Sequence, residues 1–470
     1  MNRHRSLTAL AIALAPFAGT AAVAQPTIDY PGDPLPTKAF ILSNPGLTLN
    51  IAANAKYTGR DSNPVDFGGG FLNILNGGTL LEDDGVPVVY ENVNLDIEEG
   101  GEVERLLFWR GDSTIDVNGG TLGPNGGVSV NTTLNINDGL VNAIPTSGIE
   151  NGYAASSGAV VNLDGGTLVG PVDINDDAHF HMTGGLLNDV DLFRGEDDPS
   201  AKPVIEFNHN ATGLFVGGQT DGRIRLEENS VVDVTGGLFN SGTTAPAATP
   251  LGRFIVYDDA TLNINGGSFD PFGISALDNA DVNIDGGDWS GGTATNDTTL
   301  SVSRNVTADI TDGTFEDFKL LARQDSHVTI SGGEWRDLEK EDATGRAGIF
   351  RVVDDAILEL VGTQFVINEG ESDEQVIDVD PGESYEFDLT NGFSNGEFGN
   401  VYNDLLTATL ADGNEFGMKL ISIDFDPNEE ADFVSLSTGA TLRLTAVIPE
   451  PSSLVTVIIA GAFALRRRRR

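Results

Sequence analysis

Apolar and polar residues alternate in short runs along most of this chain, and each run ends at glycine. In the run DDATLNINGGSF at 258–269, Leu262 and Ile264 are apolar and their neighbours are polar. An apolar pair two residues apart is the periodicity of a strand with one buried face. Gly-Gly then permits a sharp corner with positive φ. An apolar residue, here Phe269, follows the corner.

The same run recurs at intervals that exclude several repeat architectures. Its Gly-Gly or Asp-Gly pair returns every 19 to 30 residues, apart from one interval of 52 residues between Gly184 and Gly236. A βαβ unit needs a crossover helix, and a propeller blade needs about 40 residues. Further copies, whole or partial, lie at 111–122, 130–141, 156–168, 176–187, 228–239, 278–289, 304–315, 324–335 and 354–365.

These intervals predict an all-β chain. The expected fold is a right-handed parallel β-helix (β-solenoid) of about 11–13 coils. Residues 366–447 lose the repeat and predict a small β-rich C-terminal cap over its open edge. The repeat form resembles that of autotransporter passengers and of polysaccharide-active β-helix proteins.

Three further coils are predicted where the run is degenerate. The interval of 52 residues is interpreted as two coils, with a weak copy at 204–210. Two more are expected upstream, at LNILNGG (72–78) and LDIEEGG (95–101). In both upstream copies the alternation shifts by one residue against the glycines, which indicates either a bulge or a wrong assignment of these two coils.

Two columns of similar residues follow from stacking the copies. Asp or Asn stands seven residues before the first glycine, and its side chain suits left-handed corners. A structural polar row is predicted there, with bound calcium as the alternative. An aromatic column follows the glycines and predicts a buried stack, with an outward sugar-binding row as the alternative. The Asx column comprises Asp112, Asn131, Asp177, Asn229, Asp259, Asn279, Asn305, Asp325 and Asp355, and the aromatic column runs from Phe239 to Phe365.

The N-terminus predicts export. Arg3 and Arg5 precede an apolar stretch, and the small residues Ala22 and Ala24 follow it. This is the order of a secretory signal, with cleavage by signal peptidase after Ala24.

The C-terminus combines three features in a fixed order. Pro449-Glu450-Pro451 precedes an apolar run from Leu454 to Leu465, and five arginines close the chain: Arg466, Arg467, Arg468, Arg469 and Arg470. The run is 12 residues long, and a stable membrane span needs about 20. The basic tail would hold it at the cytoplasmic face. These residues predict a transient inner-membrane tether.

This arrangement resembles the PEP-CTERM sorting signal of Gram-negative bacteria. The resemblance implies an exosortase that recognises Pro449, Glu450 and Pro451 and removes the tail. The chain then divides into a signal peptide (1–24), a Pro-rich leader (25–46), a repeat domain (47–365), a cap (366–447) and a sorting signal (448–470).

Composition narrows the choice of partners. The chain has no cysteine, so no disulfide supports it. Residues 25–448 hold 19 basic and 70 acidic residues, a formal charge near −51. Such a field repels nucleic acid and attracts cations and basic partners.

Catalytic signatures are weak. His179 and His181 lie two apart on one predicted strand, and an exposed pair is expected there rather than a metal site. Arg223-Ile224-Arg225 is an isolated fragment, without the NTD and GHG motifs of galacturonase-like enzymes. No catalytic residue, metal site or cofactor is predicted.

We therefore expect an exported structural or adhesive protein of the cell surface, envelope or extracellular biofilm matrix. Its expected partners are exosortase, signal peptidase, and exopolysaccharide or envelope proteins. The alternatives are a polysaccharide lyase or glycoside hydrolase, and a calcium-stiffened adhesin.

Overall fold

The computed structural model describes most of the repeat region and parts of the C-terminal region. The described residues are 27–30, 46–52, 54–57, 65–82, 88–103, 107–124, 126–143, 152–188, 203–240, 252–290, 298–316, 318–336, 350–368, 370, 372, 374–387, 404–422, 434–436 and 439–447. They contain strands and no helix, which confirms the all-β prediction.

The strands follow one another with short connections. The first eleven are β1 (Thr27–Tyr30), β2 (Thr48–Ile51), β3 (Asn54–Tyr57), β4 (Val65–Ile74), β5 (Thr79–Glu82), β6 (Val88–Glu98), β7 (Glu102–Val103), β8 (Leu107–Arg110), β9 (Thr114–Leu122), β10 (Gly127–Ser129) and β11 (Thr133–Asn142). The next twelve are β12 (Tyr153–Ser156), β13 (Val160–Leu163), β14 (Thr167–Val169), β15 (Val172–Ile174), β16 (His179–Met182), β17 (Leu186–Asn188), β18 (Ile205–Phe207), β19 (Thr212–Phe215), β20 (Gln219–Asp221), β21 (Arg223–Leu226), β22 (Val231–Val234) and β23 (Leu238–Asn240).

The remaining strands complete the chain. Those of the repeat region are β24 (Arg253–Val256), β25 (Thr261–Ile264), β26 (Ser268–Phe269), β27 (Gly273–Ala276), β28 (Asp281–Ser290), β29 (Thr299–Ser303), β30 (Thr307–Glu316), β31 (Lys319–Arg323), β32 (His327–Ile330), β33 (Glu334–Arg336), β34 (Phe350–Val352) and β35 (Ile357–Ile367). Those after it are β36 (Gln375–Val376), β37 (Ser384–Phe387), β38 (Asp404–Leu410), β39 (Glu415–Ser422), β40 (Val434–Leu436) and β41 (Thr441–Ala446).

Parallel pairing arranges these strands in three rows, which the chain visits in turn. The leading row contains twelve separate described strands, β8, β10, β12, β15, β18, β21, β24, β27, β29, β31, β34 and β40. The central row contains the runs recognised in the sequence, and the trailing row follows the Gly-Gly corner. One passage through the three rows is called a rung.

The central row is the longest among the described residues. Most inward apolar positions of its 16 strands stack on apolar positions of the next strand, and register shifts occur in the pairings of β4 with β6, β6 with β9, β9 with β11 and β28 with β30. The 16 strands are β1, β2, β4, β6, β9, β11, β13, β16, β19, β22, β25, β28, β30, β32, β35 and β41.

The three rows enclose one core. The ring of Phe239 in the trailing row lies 5.7 Å from Phe215 in the central row and 5.5 Å from Phe254 in the leading row. Alternate residues of each row are buried in the same hydrophobic cluster. The sheet is therefore closed around its core, with polar residues on its outside.

The prediction of a right-handed parallel β-helix of about 11–13 coils, with a β-rich cap over an open edge, is wrong, because the described strands form a single sheet that closes around its core. All 41 described strands belong to one sheet, closed around one core, and its central row alone has 16 strands. The C-terminal strands are part of that sheet: β41 pairs parallel with β35 and antiparallel with β37. The alternation of a sequence indicates which side chains are buried, but not how strand edges pair or close.

The degenerate rungs are present, and their details differ from the prediction. The second rung in the long interval uses β19 as its central strand and turns at Gly217-Gly218, while 205–207 forms the leading strand β18. β4 and β6 occupy the two upstream rungs, with a register shift after Ile97 that accounts for the expected bulge. β1 lies within the segment predicted as a leader.

The Gly-Gly corner has two separate steric requirements, which Gly184 and Gly185 illustrate. A Cβ on Gly184 would lie 2.4 Å from the carbonyl oxygen of Asp164 on the preceding rung. Gly185 has φ of 74°, which disfavours a side chain. At this corner Gly184 permits close stacking and Gly185 permits the turn, whereas at Gly77-Gly78 the two roles are in the opposite order.

Gly77 and Gly78 allow these two requirements to be tested separately. A Cβ at Gly77 would meet nothing within 4 Å, although its φ is 75°, whereas a Cβ at Gly78 would lie 2.1 Å from the carbonyl oxygen of Ile51. We expect Gly77→Ala to cost about 1 kcal/mol from backbone strain. We expect Gly78→Ala to cost about 3 kcal/mol or more, because a backbone atom must move.

The measurement is hydrogen exchange of the amides in β2 and β4, since a repeat array can open locally. Gly77→Ala is the matched control. Equal losses of protection in the two variants would contradict the close-stacking requirement.

Candidate interaction surfaces

Side chains on the outside of the central row form a chain of hydrogen-bonded amides and carboxylates. Nδ2 of Asn162 donates to Oδ1 of Asn135, and Nδ2 of Asn135 donates to Oδ1 of Asp116, both at 2.8 Å. Because the strands are in register, each member lies directly beside the same position of the next rung. The same bond runs from Asn73 to Asn50, from Asn263 to Asp233 and from Asn283 to Asn263.

The corner between the leading and central rows is left-handed at a non-glycine residue. The sequence placed the corner at the Asx column, but positive φ falls one residue earlier, as at Asp258 with 55° and Asp278 with 67°. The Asx residue itself bonds along the stack: Asn279 donates to Asp259, and Asn305 donates to Asn279, each at 3.1 Å. The predicted polar row is therefore present beside the strained residue.

These corner positions together form an acidic ridge. Between residues 176 and 355, the described corner residues include nine carboxylates, and Arg304, which forms an ion pair with Asp278, is the one arginine among them. Most of these side chains are exposed. The acidic ridge comprises Asp176, Asp177, Glu228, Asp258, Asp259, Asp278, Asp325, Asp354 and Asp355.

Side chains on the outside of the leading row have the opposite charge. Among the described strands from β21 to β34, six basic side chains point outward, and Glu227 is the one carboxylate beside them. The central strands of the same rungs, β22 to β35, present eight carboxylates outward and no Lys or Arg. The basic face comprises Arg223, Arg225, Arg253, Lys319, Arg323 and Arg351.

Arg225 is the most constrained member of the basic face. Its guanidinium forms an ion pair with Glu227 and lies over the ring of Tyr257, 5.2 Å from the centroid. Its Nε is buried and has no hydrogen-bond partner in the described part of the chain. Burial raises the pKa of Glu227, Arg225 opposes that shift, and nearby carboxylates add to it.

Arg223 and Arg253 are direct neighbours in register on adjacent strands. Burial lowers the pKa of Arg253, and the charge of Arg223 lowers it further. Two like charges are thus held side by side, an arrangement that a negative group placed over both would stabilise.

Between the basic residues of β24 and those of β31 lies a strip of small side chains. β27 contributes Gly273 and Ser275 to it, and β29 contributes Thr299 and Ser301. Three strand spacings separate β24 from β31, about 14 Å. The strip is therefore a shallow trough with basic residues on both sides.

A polar network joins the C-terminal strand to the repeat region. Oε2 of Glu359 lies 2.8 Å from Nε2 of His327 and 3.5 Å from the Arg443 guanidinium, and Thr445 donates to Oε1 at 2.5 Å. Arg443 also bonds to Glu386 of β37. Burial alone would raise the pKa of Glu359, but the hydrogen bonds from Thr445 and His327 and the nearby positive charges lower it overall.

His179 and His181 both point outward from β16, as expected. Nδ1 of His179 lies 2.6 Å from Oγ1 of Thr212 on the next rung. Within the described ranges, no group of three or more His, Asp or Glu side chains is placed to hold a metal ion.

The aromatic column is buried, which confirms the core interpretation over the sugar-binding one. The rings of Phe269 and Trp289 stack at 3.9 Å, and those of Phe315 and Trp335 at 4.2 Å. Phe239 and Phe365 are 1% exposed, and Trp335 is partly buried.

The predicted site residues lie outside the described residues. These are the cleavage residues Ala22 and Ala24, the motif Pro449, Glu450 and Pro451, and the basic tail Arg466–Arg470. Three long polar segments of the sequence, around 189–204, 241–252 and 338–349, also lie largely outside the described residues. Each joins a trailing strand to the next leading strand, so all three attach at the same corner of the sheet.

The comparisons leave the family of the chain open. Neither family models, nor curated proteins, nor solved structures gave a match. In the described part of the chain, no helix is long and apolar enough to cross a membrane.

Sequence reasoning missed the basic face because its members are spread over about 130 residues. Only Arg223-Ile224-Arg225 stood out, and it was assessed as an enzyme fragment. A usable signal exists: Arg223, Arg253 and Lys319 each stand five residues before the left-handed corner of their own rung.

The network around Glu359 predicts that the free energy of unfolding decreases at acidic pH. Because its folded pKa lies below the unfolded value of 4.5, its contribution is complete above about pH 4.5 and is lost as pH falls below that. We expect Glu359→Gln to lose less stability than the natural chain between pH 6 and pH 3, by urea unfolding.

Asp281→Asn is the matched control for this test. The side chain of Asp281 points outward from the same row, and its carboxylate forms no hydrogen bond or ion pair with another described residue. If the free energy of unfolding falls equally between pH 6 and pH 3 in Glu359→Gln, Asp281→Asn and the natural chain, the network does not contribute to the dependence of stability on pH.

Proposed function

We propose that this chain is an exported structural or adhesive protein, which the PEP-CTERM-like tail directs to the cell surface or the extracellular matrix. Two terminal sequence features support export and sorting: the signal segment that ends at Ala24, and the motif Pro449-Glu450-Pro451 with its apolar run and arginines. The body between them is acidic and repetitive.

The observation that carries the proposal is a set of hydrogen-bonded side chains on the central strands, called the amide row: Asn50, Asn73, Asp116, Asn135, Asn162, Asp233, Asn263 and Asn283. Within three stretches of adjacent rungs its members bond to each other, as Asn283 does to Asn263 at 2.9 Å, and His181 and Leu214 separate the second stretch from the third. The side chains are thereby fixed at the strand spacing, about 4.8 Å. A fixed periodic array of donors and acceptors suits adhesion to a repetitive polymer or to neighbouring proteins, and requires no reacting group.

The sorting part is tested in a bacterium that has an exosortase. The full chain should appear outside the inner membrane without its last residues, as read by mass spectrometry. A Glu450→Ala, Pro451→Ala variant should keep its tail and stay with the membrane. Glu430→Ala, outside the motif, is the control. Tail removal from the motif variant at the natural rate would overturn this part.

The adhesive part is tested with residues 25–447, which contain every strand that the structure describes. Asn135→Leu with Asn162→Leu should weaken binding to extracted envelope or matrix material, because the amide row loses donors and acceptors. Asn142→Leu with Asn188→Leu changes the trailing row and is the matched control.

The same material also tests the enzymatic alternative. Residues 25–447 should yield no more product from a panel of acidic polysaccharides than a boiled sample does. Depolymerisation above that level would replace the structural proposal with an enzymatic one.

A further inference from the structure

We infer that the basic face docks onto the acidic ridge of a second copy of this chain, so that two copies lie side by side in parallel orientation. The inference concerns the folded body and is independent of the sorting signals. It commits to a homotypic partner on the grounds of charge, symmetry and spacing.

The distribution of charge is the first ground. In a chain with 26 basic and 71 acidic residues, chance would not favour a basic surface. Six basic side chains nevertheless face outward together from β21 to β34, with Glu227 as the one carboxylate among them in the described strands. A surface of this sign attracts carboxylates, which the acidic ridge supplies in quantity.

The placement of the two surfaces is the second ground. On each rung the acidic ridge directly follows the leading strand: Asp258 and Asp259 come five and six residues after Arg253. The basic face and the ridge therefore run side by side along the direction in which strands stack. A two-fold axis parallel to that direction places the basic face of each copy opposite the ridge of the other.

That symmetry also fixes the relative orientation. A two-fold axis across the stacking direction would place basic residues against basic residues, and ridge against ridge. The parallel arrangement avoids both contacts, and it keeps corresponding rungs of the two copies at the same level. Both copies then have the same strand spacing, so charges can match along the whole contact.

The complementary shape of the acidic ridge and the basic face is the third ground. The ridge lies at an exposed corner, and the basic face contains a shallow trough lined by Gly273, Ser275, Thr299 and Ser301. Small side chains there let a corner approach the basic residues on either side. The side-by-side arginines Arg223 and Arg253 would each gain a carboxylate from the partner.

The formal charge of residues 25–448, near −51, opposes association, and the salt concentration decides whether this repulsion or the attraction between the two surfaces dominates. The Debye length is about 30 Å at 0.01 M, so whole-molecule repulsion acts at that ionic strength. At 0.15 M the Debye length is about 8 Å, so only charges in contact interact strongly. At 1 M it is about 3 Å, so the contacting charges are screened as well. We expect association to be strongest at intermediate salt.

The decisive experiment is a charge exchange on residues 25–447, followed by sedimentation velocity. One variant carries Arg223→Glu, Arg253→Glu and Lys319→Glu, and the other carries Asp258→Lys, Asp259→Lys and Asp354→Lys. Each variant alone should dimerise at least about tenfold more weakly than the natural chain, because like charges then face each other. Mixed, the two should form a heterodimer, since each altered surface meets its opposite.

Circular dichroism checks that each variant is folded. A control variant with neutral substitutions, Arg223→Gln, Arg253→Gln and Lys319→Gln, should weaken the dimer without reversing its charge preference. Failure of the mixed variants to associate more strongly than either alone would overturn the inference. So would a natural chain that stays monomeric at about 0.1 mM across the salt range. Binding of an added polyanion by that monomer would then identify an anionic polymer as the occupant instead.

Orientation is tested by cysteine cross-linking, for which the cysteine-free chain is suited. Ser275→Cys in one copy should cross-link to Asp278→Cys in another, because the two positions belong to the same rung. Asp354→Cys lies three rungs further on, about 14 Å, and is the control. Preferential cross-linking to Asp354→Cys would rule out the parallel two-fold arrangement.

These results separate the inference from the proposed function. Loss of dimers in the charge variants leaves sorting and tail removal unaffected. Failure of tail processing, in turn, leaves the association of residues 25–447 unaffected.

Discussion

The close approach of backbones at the Gly-Gly corner is the constraint on which the rest of this structure depends. Successive rungs bond to each other through parallel strands, and this spacing leaves no room for a Cβ where Gly184 faces the carbonyl of Asp164. Once the corner is fixed, the central and trailing strands of every rung fall into register, and apolar residues stack on apolar residues. The polar rows outside are a consequence of the same register.

The core is constrained by packing, whereas the outer surfaces are in contact with solvent. Without cysteine, the body is stabilised by burial and backbone pairing, and the stacked rings from Phe239 to Trp335 are part of the core. Outside, the alternation leaves every second residue free to vary. Charge is accordingly separated by row, basic on part of the leading row and acidic at the adjacent corner and on the central row.

This separation connects the proposed function to the inferred assembly. The proposed adhesive contact uses the amide row on the central strands. The inferred self-association uses the basic face on the leading strands and the acidic ridge at the corner between the two rows. At the C-terminal end, Glu359, His327 and Arg443 tie β41 to the repeat region directly before the predicted sorting motif.

The sequence by itself determined the all-β class, the positions of most central strands, their inward residues and the corner glycines, because these depend on local periodicity and on the size of one residue. It placed the left-handed corner one residue late, since Asp258 and Asp259 are chemically alike and only backbone geometry distinguishes them. Closure of the sheet, the 16 strands of its central row and the inclusion of β41 were decided by pairing between distant residues, which no local pattern records. The basic face is likewise tertiary: Arg223, Arg253 and Lys319 become neighbours on one surface only because stacking brings successive leading strands together.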